Sequence, residues 1–488
     1  MHSLPQIIQG GMGVGVSHWP LARAVSRLGQ LGVVSGTALD QVLARRLQDG
    51  DPGGYLRHAL DHFPFPSMAQ RVRDAWYLPG GRAPGKPYAK VASHLPDGPR
   101  EVWELCIVAN FVEVFLAGEG HGNPVGINYL EKIQLPHLPS IYGAMLAGVG
   151  YILMGAGIPL KIPGALDAIA SYETATYPLQ VRGAEATDAF VSTFNPRDFS
   201  EGECPPLHRP KFLSIVSSNT LTATMLKRAN GRVDGFVVET PIAGGHNAPP
   251  RGKLQLDAAG EPIYGERDLV DYAKLGELGV PFWLAGGFGR PEKLQEALAA
   301  GAAGVQAGTA FAFCEESGLD ERYKRSILQN ARDGHVAVFT DPLASPTNFP
   351  FKVVPVDGSL TDPEVYRARP RICDLGYLRE SYKTPEGTIG FRCASEPITT
   401  FIAKGGDPGE SEGRKCLCNA LMANIGLAQS RNGHLVEQGL VTAGNDLSSL
   451  HRFLPAEGLN YTAADVIARI LGQGSAPDLQ SVAEEVGT

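Results

Sequence analysis

Short, uninterrupted apolar runs that end in small or polar residues recur between Gln6 and Gln306. Each is about as long as a strand and does not alternate, which is typical of strands buried on both faces of a parallel sheet. Helical patterns, such as those at 20–28, 221–228 and 291–299, lie between them. Eight strand–helix repeats favour an α/β fold of the (β/α)8 barrel type over an open doubly wound sheet. The predicted strands are 6–9, 32–35, 126–130, 151–154, 212–216, 235–239, 282–285 and 304–306.

Two long connections interrupt the barrel pattern, and the pattern itself ends before the chain does. Residues 38–122 are rich in arginine, proline and aromatic residues, so they predict an insertion over the mouth of the barrel. Residues 161–210 form a second long connection. After residue 318 the strand–helix alternation stops. We therefore expect a barrel over residues 1–318 and a mixed C-terminal domain over 319–488, which ends in a helical pattern at 463–471 and caps the mouth.

The composition excludes several classes of protein. With 488 residues and 43% hydrophobic content, the chain can bury the core of a barrel and of a second unit. A formal net charge of −8 provides no electrostatic attraction for nucleic acid or an anionic membrane. No run approaches the roughly 18 apolar residues of a membrane-spanning helix, and the start lacks the pattern of a signal peptide. We expect a cytoplasmic protein, since seven cysteines on a long chain do not suggest a disulfide framework.

Two glycine-rich loops follow the predicted seventh and eighth strands. The first contains Gly286 and Gly287 before a helix restarts, and the second contains Gly308 and Thr309. Glycine lets the backbone approach a ligand closely and present its N–H groups. Barrels commonly bind phosphate at the loops after strands seven and eight. Ordinary glycine turns are the alternative, but two correctly spaced loops favour a phosphate site.

A third glycine segment, around Gly11, Met12 and Gly13, follows the first predicted strand. It lacks the G-x-G-x-x-G spacing of a dinucleotide fold, and no acidic residue ends a plausible second strand. We interpret it as a loop whose backbone and Met12 press against a flat ring. A bare tight turn remains the alternative.

His246 lies just past the sixth predicted strand, which places it on the catalytic face of the barrel. Imidazole can exchange a proton near neutral pH, so this residue is a candidate acid or base. A lone histidine in a glycine loop is also compatible with a structural role. Its position beside the other loops favours catalysis.

Five motifs occur in one order at strand ends, and together they resemble the nitronate monooxygenase family, formerly called 2-nitropropane dioxygenases. That family is similar in turn to the FMN-dependent enoyl-acyl-carrier-protein reductases. The resemblance covers about residues 5–313. The motifs are Gln9-Gly-Gly-Met-Gly-Val, Gly155-Ala-Gly-Ile-Pro, Ala243-Gly-Gly-His, Ala285-Gly-Gly-Phe-Gly and Gly304-Val-Gln-Ala-Gly-Thr.

This resemblance implies FMN as the cofactor and assigns roles to residues by motif. His246 would be the catalytic acid or base, Asn128 would hydrogen-bond the flavin, and Lys161 would lie near the cofactor. The other cofactor-binding residues that it implies are Gly11, Met12, Gly13, Gly244, Gly245, Gly286, Gly287, Gly308 and Thr309.

The activity implied is the oxidation of alkyl nitronates with O2. The alternative is reduction of an enoyl thioester with NAD(P)H in fatty-acid or polyketide synthesis, and a flavin-binding scaffold is a third reading. The resemblance also implies a homodimer. Three departures leave the substrate open. Ile242 stands where the family usually has an acidic residue, with Glu239 three residues earlier, and Asn247-Ala-Pro-Pro-Arg251 replaces the usual small glycine step after the histidine. The chain is also considerably longer than a minimal family member. Asn247 and Arg251 are candidates to recognise a carboxylate or phosphopantetheine, although Arg251 is equally compatible with a surface charge.

Four cysteines fall late in the chain, at Cys373, Cys393, Cys416 and Cys418. A cluster of four thiols is one way to build a zinc or iron–sulfur site. The spacing lacks the C-x2-C knuckle, and free cysteine is often a small buried hydrophobe. We therefore predict no metal, and keep a site among these four as the alternative.

Overall fold

Eight short parallel strands close into a barrel, as the apolar runs predict. The computed structural model describes residues 4–431 and 435–473, and nearly every residue of these strands is buried. Each strand lies within one residue of its predicted position. Numbered in order among all strands of the chain, they are β1 Ile7–Gln9, β2 Gly32–Ser35, β3 Val125–Leu130, β4 Tyr151–Gly155, β8 Lys211–Val216, β9 Gly235–Glu239, β10 Phe282–Ala285 and β11 Gly304–Ala307.

The barrel is closed between β1 and β2. The sheet order is β1-β11-β10-β9-β8-β4-β3-β2, and Leu31 joins its two ends. The amide of Leu31 donates to the carbonyl of Ile7 at 3.0 Å, and the amide of Gln9 donates to the carbonyl of Leu31 at 2.9 Å. The interior is filled by side chains such as that of Trp283, so the barrel is a packed core rather than a pore. The predicted fold class is confirmed.

Helices surround the barrel because each presents an apolar face to it. In the helix that starts at Pro291, proline occupies the first turn, where its missing N–H costs nothing, and Leu294 and Ala297 are buried. The helices between the barrel strands and directly after the last one are α1 Trp19–Arg27, α2 Leu39–Gln48, α3 Tyr55–Asp61, α4 Pro66–Trp76, α5 Arg100–Gly118, α6 His137–Leu146, α7 Ile162–Ala170, α8 Asn219–Arg228, α9 Tyr272–Gly276, α10 Pro291–Ala299 and α11 Thr309–Ala312.

The two long connections have structure of their own. Residues 38–122 contain α2 to α5, and the long α5 packs against α1, α2 and α6 in the outer layer. Part of this segment does reach the mouth, where His94 Nε2 lies 3.0 Å from Asp40 Oδ2. The second connection contains the short strands β5 Ala175–Pro178, β6 Val181–Arg182 and β7 Val191–Phe194.

The chain after residue 318 packs back onto the mouth of the barrel. The amide of Lys352 donates to the carbonyl of Gly245 at 3.0 Å, and the amide of Gly245 donates to Thr442 Oγ1 at 2.8 Å. Whether this region is a separate domain stays a prediction. Its elements are α12 Glu321–Arg332, β12 Phe339–Asp341, β13 Phe351–Val353, α13 Pro363–Ala368, β14 Glu380–Lys383, β15 Ile389–Arg392, α14 Ile398–Ala403, α15 Leu417–Ala423, β16 Ser430–Arg431, β17 Leu435–Val436 and α16 Ala463–Ile470.

None of the helices in residues 4–431 and 435–473 has both the length and the apolar character needed to cross a bilayer. The predicted absence of a signal peptide rests in part on residues 1–3, which lie outside the described residues.

Candidate active site

The carboxyl ends of the barrel strands open on a cavity of about 150 Å³, which we call the glycine cavity. The loops after β1, β9, β10 and β11 form it, and residues 441–446 of the C-terminal region cover it. Nine of the predicted residues line this one space. They are Gly11, Met12, Gly13, Gly244, Gly245, Gly286, Gly287, Gly308 and Thr309.

A second space of about 160 Å³, the central cavity, adjoins the first and shares Gly11 and Gly13 with it. Asn128 and His246 line the central cavity. Eleven of the twelve predicted residues therefore meet at the mouth. Lys161, the N-cap residue of α7, is exposed and is not among the residues that line the described cavities at the mouth. Its role near the cofactor stays a prediction.

The glycines of these two loops differ in how strongly the backbone requires them. Gly286 has a φ of +86°, and a Cβ there would collide with Thr240 Oγ1. Gly308 has an ordinary φ of −113°, and a Cβ there would lie 3.5 Å from Met12 Sδ, at van der Waals contact. Gly286 is therefore fixed by backbone geometry, whereas Gly308 leaves open space beside a ligand.

Three buried amide acceptors of residues that line these cavities have no hydrogen-bond partner in the described part of the chain. They are Asn128 Oδ1, Gln306 Oε1 and Asn424 Oδ1. The amide nitrogen of Asn128 donates to the carbonyl of Gly11 at 3.2 Å, which aims the side chain at the first loop. Buried acceptors are costly unless a donor reaches them. A flat ring with N–H groups on its edge, such as the predicted flavin, fits this space.

At the opposite end of the glycine cavity, Thr309 bonds to the C-terminal region. Its Oγ1 donates to Asp446 Oδ1 at 2.7 Å and accepts from the amide of Gly444 at 3.0 Å. Burial raises the pKa of Asp446, and the hydrogen bond from Thr309 opposes that rise. A charged carboxylate here would repel a phosphate, whereas a protonated one would donate to it. The motifs do not indicate Asp446, which is 137 residues from Thr309 in the chain.

His246 lies beside the hairpin strand β13. Its Nε2 is 2.7 Å from Ser345 Oγ, and its ring centre is 4.7 Å from that of Phe351. Removal from water lowers the pKa of His246 to about 4, so the imidazole is neutral at pH 7. It can orient a ligand by hydrogen bonding, but it is a weaker base than the sequence predicts.

Glu239, the last residue of β9, lines both the glycine cavity and the central cavity. Burial raises the pKa of Glu239 to about 7. A carboxyl that changes protonation near neutral pH is suited to general acid–base work. Glu239 is not among the predicted site residues, although its place at the end of a barrel strand is a signal for that role.

The residues that depart from the family pattern mostly shape the histidine loop. Asn247 is buried, and its side-chain amide donates to the carbonyl of Ala243 at 2.9 Å, which holds the loop in place. Ile242 is exposed. Arg251 lines a separate cavity with His246, so a role in substrate recognition stays a prediction.

The late cysteines lie near one another without forming a metal site. Among residues 4–431 and 435–473, no three histidine, cysteine or acidic side chains are arranged to hold a metal ion. The neighbouring Cys373 thiol lowers the pKa of Cys393. All seven cysteines are free.

Part of the chain matches a known protein family. Residues 188–342, which include β9 to β11 and their loops, match the family model described as nitronate monooxygenase. The predicted resemblance is confirmed.

Two curated relatives of this nitronate monooxygenase-like chain match only over part of their length. A nitronate monooxygenase of Paraburkholderia phytofirmans is 30% identical over 179 residues, which are 36% of this chain and 46% of the relative. The (3aS,4S,5R,7aS)-5-hydroxy-7a-methyl-1-oxo-octahydro-1H-indene-4-carboxyl-CoA dehydrogenase of Mycobacterium tuberculosis is 33% identical over 103 residues, 21% of this chain and 26% of the relative. The chain thus spans less than half the length of these relatives. A solved structure of FabK from Thermotoga maritima covers 99% of this chain and 95% of its own, at 16% identity and a TM-score of 0.47.

Proposed function

We propose that this chain is an FMN-dependent oxidoreductase that oxidises alkyl nitronates with O2. The proposal rests on one observation: glycine loops from four barrel strands converge on one cavity. Buried acceptors beside it have no hydrogen-bond partner in the described part of the chain. The family match over residues 188–342 supports nitronates as the substrate class.

Bound FMN would supply the transfer of electrons from substrate to O2. Gly11, Met12 and Gly13 would support the ring, Asn128 would bond its edge, and the loop at Gly308 would hold the phosphate. Such backbone loops bind an anion without needing a basic side chain.

The chain's own acid–base chemistry centres on Glu239 and His246. Because its pKa is about 7, Glu239 can accept the proton that a nitroalkane loses on conversion to the nitronate. His246 stays neutral at the same pH and, bonded to Ser345, would orient the nitro group. The nitronate itself needs no proton removed, so Glu239 matters less for that substrate.

Asp446→Asn is expected to tighten FMN binding, and to do so more at the higher of two pH values. The raised pKa of Asp446 means that its negative charge, which repels the phosphate, develops as the pH rises. Quenching of FMN fluorescence measures the Kd at both pH values. Riboflavin, which lacks the phosphate, is the control ligand, and equal gains for both flavins would contradict this account.

A second candidate function is the reduction of an enoyl thioester by NAD(P)H. The observation that favours it is a further cavity of about 400 Å³ beside the central cavity, much more room than a small alkyl nitronate needs. The match to a carboxyl-CoA dehydrogenase is consistent with this substrate class.

Anaerobic reduction of the flavin is expected to separate the two functions. The protein is loaded with FMN, and the absorbance at about 450 nm is followed with propyl nitronate and with NADPH in separate cuvettes. Bleaching by the nitronate alone supports nitronate oxidation, because that substrate then delivers the electrons. Rapid bleaching by NADPH would assign the reductase instead. Free FMN with each reagent is the control, and a protein that retains no flavin would overturn both assignments.

A further inference from the structure

The third cavity at the mouth, which we call the outer cavity, has a volume of about 400 Å³. Ile133, Tyr377 and Leu378 line both it and the central cavity, so the two spaces adjoin. Its remaining walls come mainly from residues 132–136, 180–182, 346–348 and 375–381. Nitronate oxidation assigns no role to this space.

The walls of the outer cavity carry more positive than negative charge. Lys132, Arg182 and Arg379 line it, against a single carboxylate, Glu380. That carboxylate is already engaged, because Arg182 lies 3.3 Å from it. The cavity is therefore a positive pocket next to the site.

Two of these cations have only neutral partners. Lys132 Nζ donates to Gln180 Oε1 at 2.8 Å, and Arg379 donates to the backbone carbonyls of Gly376 and His94 at 2.9 and 3.1 Å. In the described chain, no carboxylate lies within 4.0 Å of either cation. Burial lowers the pKa of Arg379, as expected for a cation that has lost water without gaining an anion.

Aromatic rings contact both cations, and one of these rings also lies near His246. Lys132 Nζ lies 5.7 Å from the centre of the Phe349 ring, and that ring lies 6.4 Å from the ring of His246. Arg379 stacks over Phe391 at 4.7 Å. The positive charge is thus positioned beside the entrance to the central cavity rather than free on a mobile side chain.

We propose that Lys132 and Arg379 bind the phosphate of an organic phosphate whose reacting end extends into the central cavity. Arginine matches phosphate geometry with two parallel hydrogen bonds, and lysine adds a point charge. A coenzyme A thioester and a nicotinamide dinucleotide phosphate share this chemistry. The inference goes beyond nitronate oxidation and stands or falls separately from it.

Calorimetric titration of the FMN-saturated protein tests the site without turnover. Coenzyme A and NADP+ are titrated separately, each beside its counterpart without phosphate, pantetheine or nicotinamide riboside. At least one phosphate ligand is expected to bind about tenfold or more tightly than its counterpart, with an affinity that falls as salt rises. Tight binding by coenzyme A assigns a thioester, and tight binding by NADP+ assigns a hydride donor. The proposal is overturned if coenzyme A binds no more tightly than pantetheine and NADP+ no more tightly than nicotinamide riboside.

Substitutions of Arg379 and Lys132 test whether the phosphate binds at these two residues. Arg379→Met and Lys132→Met are each expected to weaken the phosphate ligand about tenfold, whereas Arg379→Lys retains part of the affinity. Lys253→Met removes an exposed positive charge elsewhere and is the matched control for net charge. Wild-type affinity in both cavity variants overturns the assignment. The flavin absorbance of each sample reports FMN binding independently, so a failure of the cofactor proposal is recognised separately.

Discussion

Gly308→Asp is expected to yield a folded protein that no longer retains FMN. The φ of Gly308 is −113°, so an aspartate fits the backbone without strain. Its carboxylate would lie in the space proposed for the phosphate, close to Thr309, whose hydroxyl already bonds Asp446. Placing a further negative charge against a buried dianion should weaken FMN at least about a hundredfold, or roughly 2.7 kcal/mol.

Gly308→Ala is the matched control for this variant. Its Cβ would meet Met12 Sδ at 3.5 Å, an ordinary contact, so alanine is expected to keep FMN. The ratio of flavin to protein after gel filtration, with the melting temperature of each apoprotein, separates loss of cofactor from loss of fold. A yellow, normally binding aspartate variant would show that the phosphate lies elsewhere.

The barrel could be predicted from sequence because its signals are local. A run such as Phe282–Ala285 is apolar throughout because both faces of the strand are buried, and the glycines that follow mark the turn into α10. The position of the strand ends also explains why the nine predicted residues of the glycine cavity lie together. Parallel strands in a barrel bring all their carboxyl ends to one face, so residues that follow strands must meet there.

The sequence predicts that the C-terminal region caps the mouth, but it does not predict which residues of that region contact the site. Asp446 reaches Thr309 across 137 residues, from the first turn of a short 3-10 helix at Asn445–Arg452, and nothing in the sequence of that helix indicates this contact. Strand β6 is two residues long and pairs with β14 from the C-terminal region. The neutral state of His246 also depends on that region, since β13 supplies Phe351 beside its ring. Such contacts are set by tertiary packing, which a single sequence does not display.

Glu239→Gln is expected to lower turnover of a nitroalkane by about a hundredfold or more, while turnover of the corresponding nitronate changes little. The carboxylate accepts the proton of the nitroalkane, so kcat/KM of the wild type for that substrate should rise as the pH increases through about 7. Glutamine keeps the shape and removes this rise. Equal losses on both substrates would show that Glu239 acts in binding or in electron transfer rather than in proton removal.

The stability of Glu239→Gln tests, without any substrate, whether the pKa of Glu239 is raised. Burial raises the pKa of Glu239 to about 7 in the folded protein, whereas an unfolded glutamate titrates near about 4.3. Between these values only the folded protein holds the proton, so the stability that Glu239 contributes is full below about pH 4.3 and is lost as the pH rises through 7. Glutamine does not titrate, so the melting temperature of Glu239→Gln relative to wild type should be higher at pH 8 than at pH 5. A difference in melting temperature between variant and wild type that does not change with pH would mean that burial does not raise the pKa of Glu239. Another residue at the mouth would then have to be the base.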